Sequence, residues 1–420
     1  MERWEIAEAK MESIWTEGIE IRKHEPLPGD MEAPVVVIGA GLAGILTAYY
    51  LKQEGIRAVV LEADRIGSGQ TKNTTAKITS QHNQVYSWLI RAFGHQMAEH
   101  YASANEAAIA EYERLVQNKG IDCGFCRCPA YLYSQIETEF LKREAEAAKS
   151  LGIEASFGTE CELPFPVAGV TRFEHQAKFH PLKFLAGMAE EVEVYEQTKV
   201  LKVDGRRVET ASGTVTAEHI VFAAHYPFIN VPGYYFARMH QERSYVVALE
   251  GAVRPEGMYL GIDQGGLSFR TCGNLLLLGG GGHRTGVNQG NKAGTGCIYE
   301  MLRNRSREIY PECHEVSQWS AQDCMTLDGL PYIGRFSKRR PNWYVATGFG
   351  KWGMTTAMVA ARILTTLISG RDCPEADIFS PSRHVTVQAM KGLLVHGAYT
   401  VKGLTKHLLP MGKGRIVPNC

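Results

Sequence analysis

One glycine-rich turn near the N-terminus constrains the fold of this chain more than any other feature. A continuous apolar run, Pro34 to Ile38, predicts a strand buried on both faces, and it leads directly into Gly39-Ala40-Gly41-Leu42-Ala43-Gly44. A helical pattern follows from Leu46 to Gln53, and Ala58 to Leu61 predicts a second buried strand that ends on Glu62. This strand–turn–helix–strand unit of about thirty residues is typical of dinucleotide-binding α/β folds.

Each glycine of the turn has a physical reason to be there. Gly39 permits the tight turn, Gly41 lets the backbone approach a pyrophosphate, and Gly44 allows the helix to pack closely on the strand. The pyrophosphate would lie at the positive end of the helix dipole, beside N–H groups that have no partner within the helix. Glu62, about twenty residues further on, can accept hydrogen bonds from ribose hydroxyls.

The composition favours a small molecule as the partner. The chain has 45 lysines and arginines and 45 aspartates and glutamates. Because basic residues are not in excess, the composition does not predict binding to nucleic acid. The polar N-terminal stretch lacks the apolar segment of a secretory signal, which makes a cytoplasmic location the default. The sequence contains no run of about eighteen apolar residues, so we expect no transmembrane helix. We expect the ten cysteines to be free thiols and expect no metal at Cys123, Cys126 and Cys128, because a second pair of zinc ligands is missing.

The number of glycine-rich dinucleotide-binding turns in the sequence indicates which dinucleotide is bound. A reductase that uses both FAD and a nicotinamide needs a second turn of the same kind. The only other glycine cluster, Gly279 to Gly286, has a different spacing and is followed by Asn288-Gln289-Gly290 rather than by a helical pattern. One nucleotide is therefore held tightly while reducing equivalents enter from a substrate, which favours FAD as a resident cofactor.

Three stretches carry a resemblance to a known family: Val35 to Gln81, Asp328 to Gly334, and Ala346 to Met354. They resemble the D-amino-acid-oxidase-like (DAO) FAD-dependent oxidoreductases, in order, over roughly Ser13 to Ser380. Within that superfamily the chain looks most similar to γ-glutamylputrescine oxidoreductase and glycine oxidase-type enzymes. It also looks like the FAD part of Rieske-domain-containing FAD oxidoreductases, although it stops at Cys420, where such a domain would begin. Either that domain was lost or the chain is truncated.

The resemblance implies an α/β fold with two intertwined domains. One is a Rossmann-like FAD-binding domain of the glutathione-reductase type, and the other is an inserted α+β substrate domain built on a mostly antiparallel sheet. We expect an N-terminal extension over 1–33 and an FAD-binding domain made of 34–95, 165–230 and 320–380. The substrate domain would comprise 96–164 and 231–319. A tail over 381–420 would contain one amphipathic stretch between Val387 and Leu409.

The resemblance also implies a set of FAD contacts along these motifs. The expected cofactor-binding residues are Gly39, Gly41, Leu42, Ala43, Gly44, Glu62, Ala63, Gly69, Thr71, Thr75, Ala76, Lys77, Val200, Ala224, Cys324, Gly348, Gly350, Trp352, Gly353 and Met354. Val200 would contact the adenine end, and the helix after Gly350 would stabilise negative charge on the reduced flavin. His225 would fill space beside the cofactor. Cys324 lies near the position at which sarcosine-oxidase relatives attach flavin covalently through a cysteine, although related chains often lack that residue.

Two residues are candidates for catalysis. Lys77 departs from the family pattern; it could assist the reaction with oxygen, hold a substrate carboxylate, or pair with phosphate as a surface lysine. Arg284 could grip a substrate carboxylate bidentately or form a structural ion pair. Tyr245 and Tyr259 are further candidates for lining the substrate pocket.

The predicted reaction is oxidation of the C–N bond of a small amine or amino acid by hydride transfer to flavin. Oxygen, a redox protein or a quinone would then take the electrons. Two alternatives remain open: an FAD dehydrogenase for a hydroxy acid or polyol phosphate, supported if arginines near Arg270 and Arg284 bind phosphate, and a non-catalytic flavin electron-transfer protein.

Overall fold

Two β-sheets with helices packed around them form the framework of the protein. The computed structural model describes residues 9–285, 298–384 and 390. In these residues the strands are β1 (Met31–Ile38), β2 (Ala58–Leu61), β3 (Lys77–Ile78), β4 (Cys126–Ser134), β5 (Ala155–Gly158), β6 (Gly169–Lys178), β7 (Glu193–Tyr195), β8 (Val200–Asp204), β9 (Arg207–Thr210), β10 (Thr214–Phe222), β11 (Met239–Glu250), β12 (Met258–Gly261), β13 (Ser268–Cys272), β14 (Leu275–Arg284), β15 (His314–Thr326), β16 (Tyr332–Ser337) and β17 (Arg340–Thr347). The helices are α1 (Leu42–Gln53), α2 (Tyr86–Phe93), α3 (His95–Lys119), α4 (Glu139–Ser150), α5 (Pro181–Ala189), α6 (Tyr235–Arg238), α7 (Ile298–Ile309), α8 (Gly353–Ile368) and α9 (Ala376–Phe379).

The first sheet is mainly parallel and has the strand order β16-β17-β10-β1-β2-β7. Its central pairs, β17 with β10, β10 with β1, β1 with β2 and β2 with β7, are all parallel. Parallel strands covered by helices are buried on both faces, which explains the continuous apolar runs of β1 and β2. The predicted strand–turn–helix–strand unit is confirmed, and β1 begins at Met31, a little before the predicted Pro34.

The second sheet has the order β15-β11-β14-β13-β12-β4-β6-β3, with β5 paired to β6. All its neighbouring strands are antiparallel except β12 and β4. The predicted mostly antiparallel sheet is therefore confirmed. Leu277 on β14 and Trp319 on β15 belong to the large core that also contains residues of α1 and α8.

The two sheets divide the chain differently from the predicted domain boundaries. β6 lies within 165–230, which was assigned to the FAD-binding domain, but it pairs with β4 in the second sheet. Conversely, α3 was assigned almost entirely to the substrate domain but packs on α8 and α9, beside the first sheet. Periodicity shows that a segment is buried and not which sheet it joins, so it could not resolve these two cases. The predicted amphipathic stretch, 387–409, lies outside the described residues except for Met390.

The described part of the segment before β1 packs on the loop before β3 and on β15. Trp15 is fully buried, and its indole N–H donates to the carbonyl of Thr74 at 2.7 Å. Lys10 bridges to Ser317 on β15. From residue 9 onward, the N-terminal extension is thus packed against the polar loop before β3 rather than separate from the fold.

The described residues show neither a membrane span nor a metal cluster. None of the described helices is both long and apolar enough to cross a membrane. Within the same part of the chain, no group of three or more His, Cys, Asp or Glu side chains is arranged to hold a metal ion.

Candidate functional site

A cavity of about 1130 Å³ lies between the two sheets. One end is lined by residues at the carboxyl ends of β1, β2 and β10, and the other end by β11 to β14. Ligands of open parallel sheets bind outside the carboxyl ends of the strands. The volume exceeds the roughly 300–1,000 Å³ of ordinary ligand pockets, so one cavity can hold a dinucleotide and a small substrate together.

The glycine turn forms the floor of the first end. Gly39 has φ +108°, and a Cβ there would lie 2.7 Å from the carbonyl oxygen of Ala223. A Cβ on Gly44 would lie 1.9 Å from the oxygen of Gly39, so α1 could not pack as closely on the turn. Gly41 precedes the first turn of α1, which carries no acidic residue. The bare backbone and the helix N-terminus fit the pyrophosphate of a dinucleotide.

Glu62 lies where β2 ends, as the fingerprint requires. One of its carboxylate oxygens accepts from the Ala40 N–H at 2.7 Å, and the other accepts from the Asp64 N–H at 2.9 Å. These two bonds fix the carboxylate at the cavity wall and leave lone pairs for ribose hydroxyls. Val200 lines the same end of the cavity.

The structure brings most of the expected cofactor-binding residues to this one cavity. Those that line it are Gly39, Gly41, Leu42, Ala43, Glu62, Ala63, Gly69, Thr71, Thr75, Lys77, Val200, Ala224, Gly348, Gly350, Trp352, Gly353 and Met354. Gly44 lies behind the turn, where it has the packing role expected of it. Ala76 is fully buried between two lining residues and has φ +55°. His225 also lines the cavity, and its ring Nε2 lies 2.8 Å from the carbonyl oxygen of Gln322.

The expected contact with Cys324 is not what the structure shows. Successive side chains of a strand point to opposite faces, and on β15 it is Asp323 that lines the cavity. The Cys324 thiol is buried away from it, and burial raises its pKa to about 12. A thiol in that position is neither close to the cofactor nor readily ionised, so the structure gives no support to covalent attachment through Cys324.

At the flavin end, α8 begins at the cavity wall. Gly348 has φ +70°, and a Cβ there would lie 2.3 Å from a methyl carbon of Thr326, so this turn also requires glycine. Trp352 immediately precedes α8 and stacks on His82, with ring centroids 5.0 Å apart. The His82 ring is fixed in turn by the Tyr101 hydroxyl at 2.6 Å. The positive end of α8 can therefore stabilise negative charge at this wall.

Lys77 faces the second sheet rather than the pyrophosphate turn. Its Nζ donates to the carbonyl oxygen of Tyr259 at 2.9 Å and to the hydroxyl of Ser268 at 2.6 Å. Burial and the nearby Arg270 guanidinium lower the pKa of Lys77 to about 7. Of its three predicted roles, pairing with phosphate is the one that this position does not favour.

A second lysine on the cavity wall had no role predicted for it. Lys351 Nζ lies 3.0 Å from an oxygen of Asp323, 2.8 Å from the hydroxyl of Ser244 and 3.4 Å from Glu242. His240 and Lys351 help to lower the pKa of Glu242 to about 2. The sequence showed Lys351 within a family motif, but nothing in it indicated that strands β11 and β15 would supply its partners.

The predicted carboxylate-binding residue Arg284 is not among the residues that line the cavity. It ends β14, where it is paired in register with Glu242. Gly279 to Gly282, earlier on the same strand, do line the cavity, as do Tyr245 and Tyr259. The glycine tract is thus a strand segment that leaves space beside the cofactor and not a second nucleotide turn.

A dinucleotide turn and a substrate-side sheet that share one cavity define a two-domain flavin oxidoreductase. The family model described as DAO, FAD-dependent oxidoreductase, matches residues 34–367, and the chain belongs to this family of FAD-binding enzymes. It is 36% identical over 417 residues to YhfW of Bacillus subtilis (strain 168), whose name describes a Rieske 2Fe-2S iron-sulfur protein; the match covers 96% of this chain and 81% of the relative.

Two more distant matches are to proteins that are named as an oxidoreductase and an oxidase. It is 22% identical to γ-glutamylputrescine oxidoreductase of Escherichia coli (strain K12), over 83% of this chain and 85% of that protein. The structure of glycine oxidase from Geobacillus kaustophilus superposes with a TM-score of 0.70 and 20% identity. That superposition covers 84% of this chain and 99% of the other. At this identity the structural match shows a shared fold.

Proposed function

We propose that this enzyme oxidises the C–N bond of a small amine or amino acid to an imine, which water then hydrolyses. The observation that carries the proposal is the substrate-side wall of the cavity. There the Lys77 amine, the Lys351–Asp323 pair and the glycine strand face the space beside the cofactor. The names of glycine oxidase and γ-glutamylputrescine oxidoreductase support an amine or amino-acid substrate.

When bound, FAD supplies the hydride acceptor, and the protein positions the reactants. The turn at Gly39 and Gly41 and the N-terminus of α1 would hold the pyrophosphate, and Glu62 would hold the ribose. Trp352 and the start of α8 would flank the ring. The aromatic and apolar walls, including Tyr245 and Met258, exclude water from the substrate and orient it.

The alternative of a polyol phosphate substrate has less support. Phosphate-binding arginines near Arg270 and Arg284 would have supported it, and neither of these two arginines is among the described lining residues. Arg270 is buried outside the cavity lining, where its Nη2 donates to the carbonyl of Phe179 at 2.7 Å. A non-catalytic flavoprotein would not need a substrate-sized space beside its cofactor.

The electron acceptor and the cellular location are also proposals. The similarity to YhfW supports a redox protein with an iron–sulfur centre as the acceptor, with oxygen as the other candidate. The free thiols of the eight described cysteines support a cytoplasmic location.

The test is anaerobic reduction of the bound flavin by a panel of amines, amino acids, hydroxy acids and glycerol phosphate. We expect at least one amine or amino acid to bleach the flavin absorbance within seconds. Bleaching by hydroxy acids or glycerol phosphate alone would overturn the proposal, as would a fully loaded flavin that no member of the panel reduces. Admitting air afterwards distinguishes oxygen from a protein acceptor by whether the absorbance returns promptly.

A further inference from the structure

We infer that Lys77, as a neutral amine, is the base that accepts the proton of the substrate's ammonium group. This inference rests on the proposed function and adds a catalytic residue to it. A protonated amine has no lone pair on nitrogen with which to expel a hydride from the adjacent carbon. An enzyme that binds amines near neutral pH must therefore remove a proton before the C–H bond can break.

The hydrogen bonds of Lys77 fit the neutral form. A neutral amine has two N–H groups and one lone pair, whereas an ammonium has three N–H groups and none. The Tyr259 carbonyl and the Ser268 hydroxyl accept two N–H groups from Nζ, and both acceptors lie on the second sheet. Because Lys77 lines the cavity, the remaining position on Nζ is available to a bound substrate.

The charges around Lys77 also favour the neutral form. Among the described residues, no carboxylate forms a salt bridge with its Nζ, whereas Lys351 has Asp323 and Glu242. Two positively charged side chains are near. Lys178 lies opposite Lys77 on β6 and donates to the Glu256 carbonyl, and Arg270, which is 2% exposed, lies two residues beyond Ser268 on the same face of β13. The other titratable neighbour is the Cys128 thiol on β4, whose pKa burial raises to about 11, so it stays uncharged at neutral pH.

The proton and the electrons balance in this scheme. The Lys77 lone pair takes one proton from the substrate ammonium, which leaves a neutral amine beside a lysine ammonium. With FAD bound, the hydride from the C–H bond would pass to it, and the substrate would become an iminium ion, which loses a proton to solvent or is hydrolysed by water to the carbonyl product and the amine. Lys77 returns its proton to solvent once the product has departed. The buried surroundings that disfavour charge on Lys77 act on the bound ammonium as well. They lower the pKa of the ammonium toward that of Lys77, which favours proton transfer between them.

The kinetic test measures anaerobic flavin reduction between pH 6 and 10.5 in the loaded wild type, Lys77→Met and Lys77→Arg. The substrate is the alkylamine that bleaches the flavin fastest in the panel. At pH 7 we expect both variants to be about 10²–10⁴-fold slower, the range of general base catalysis. The defect should shrink as pH rises and vanish near ~10.4, the ordinary pKa of an alkylamine, because the substrate then arrives neutral. A fluorinated analogue with a weakly basic amine should show no defect at pH 7.

The arginine variant separates a base from a positive charge. Arginine keeps the charge and cannot be deprotonated in proteins, so it should not restore the rate. Rescue by Lys77→Arg would overturn the inference and indicate a carboxylate-binding cation. A defect confined to reoxidation by air would overturn it in favour of a role with oxygen. Lys178→Met is the matched control, because Lys178 lies opposite Lys77 on β6 but donates to the Glu256 carbonyl, away from the cavity lining.

A second measurement decides the protonation of Lys77 without turnover. Brief acetylation of the loaded protein with trace acetic anhydride from pH 5 to 11, followed by peptide mass spectrometry, reports the fraction of each lysine that is neutral. We expect the Lys77 midpoint near pH 7, well below the ~10.4 of ordinary exposed lysines. A midpoint near 10 would refute the inference. Failure of every amine to reduce the wild-type flavin would refute the proposed function while leaving this readout intact.

Discussion

Replacing Arg383 with methionine should destabilise the protein severely, because it would leave a buried carboxylate without its partner. The guanidinium forms two bonds to Asp328, at 2.6 and 2.8 Å, and both side chains are 4% exposed. Arg383 also donates to the carbonyls of Leu330 at 2.7 Å and Pro331 at 2.8 Å. Removing one partner of such a pair typically costs about 3–5 kcal/mol. That is a large share of the roughly 5–15 kcal/mol by which domains are stable.

The assay is urea denaturation of the loaded protein, followed by circular dichroism. Arg371→Met is the control. The N···O distance of the Arg371–Glu54 pair, 2.7 Å, is close to the 2.6 Å of the Arg383–Asp328 pair, but its side chains are 53% and 40% exposed. Exposed pairs contribute about 0–1 kcal/mol. If Arg383→Met does not fold, adding Asp328→Asn should recover part of the loss, since it removes the unpaired charge. Equal losses of unfolding free energy in the two arginine variants would refute the argument from burial.

Three further predictions concern the cavity. Gly44→Ala should weaken FAD binding at least tenfold in a fluorescence titration, because its Cβ would lie 1.9 Å from the Gly39 oxygen; unchanged FAD affinity would refute the packing role of Gly44. Gly279→Val should leave FAD affinity unchanged but raise KM for bulky amines about 10–200-fold, since a Cβ there meets Ser268 only at an ordinary 3.5 Å and extends beside the cavity. Equal effects on the smallest and largest amines would contradict it. Arg270→Gln should raise the acetylation midpoint of Lys77 above about 7, because a nearby positive charge is removed; a midpoint that stays or falls would show that Arg270 does not act on Lys77.

The sequence predicted the parts of the fold whose apolar patterns are local. The turn at Gly39, the buried strands beside it and the helix after Gly350 all lie where their patterns placed them. The sheet to which β6 belongs and the helices on which α3 packs depend on contacts between distant segments. Those contacts have no local pattern in one sequence, which is why the domain boundaries differ.

The site was predictable where a motif carried it and not where strand register decided it. Asp323 and Cys324 are neighbours in sequence, yet alternation along β15 directs only Asp323 into the cavity. The pairing of Lys351 with Asp323 and Ser244 requires three separate segments to meet. Similarly, Arg284 follows a glycine tract that does line the cavity, but Arg284 itself, at the end of β14, lies outside the cavity lining.

The order of strands in the first sheet has a consequence for how the enzyme is made. The pyrophosphate turn and Glu62 leave the ribosome early, but the flavin wall is completed only by β17 and α8, through Ala357. At about 5–20 residues per second, synthesis of the intervening chain takes roughly 15–60 s. During the first part of that interval, before β10 has been made, the nascent protein also exposes the edge of β1 that later pairs with β10. The complete FAD site therefore cannot form before β17 and α8 have been made, although the pyrophosphate turn is made much earlier.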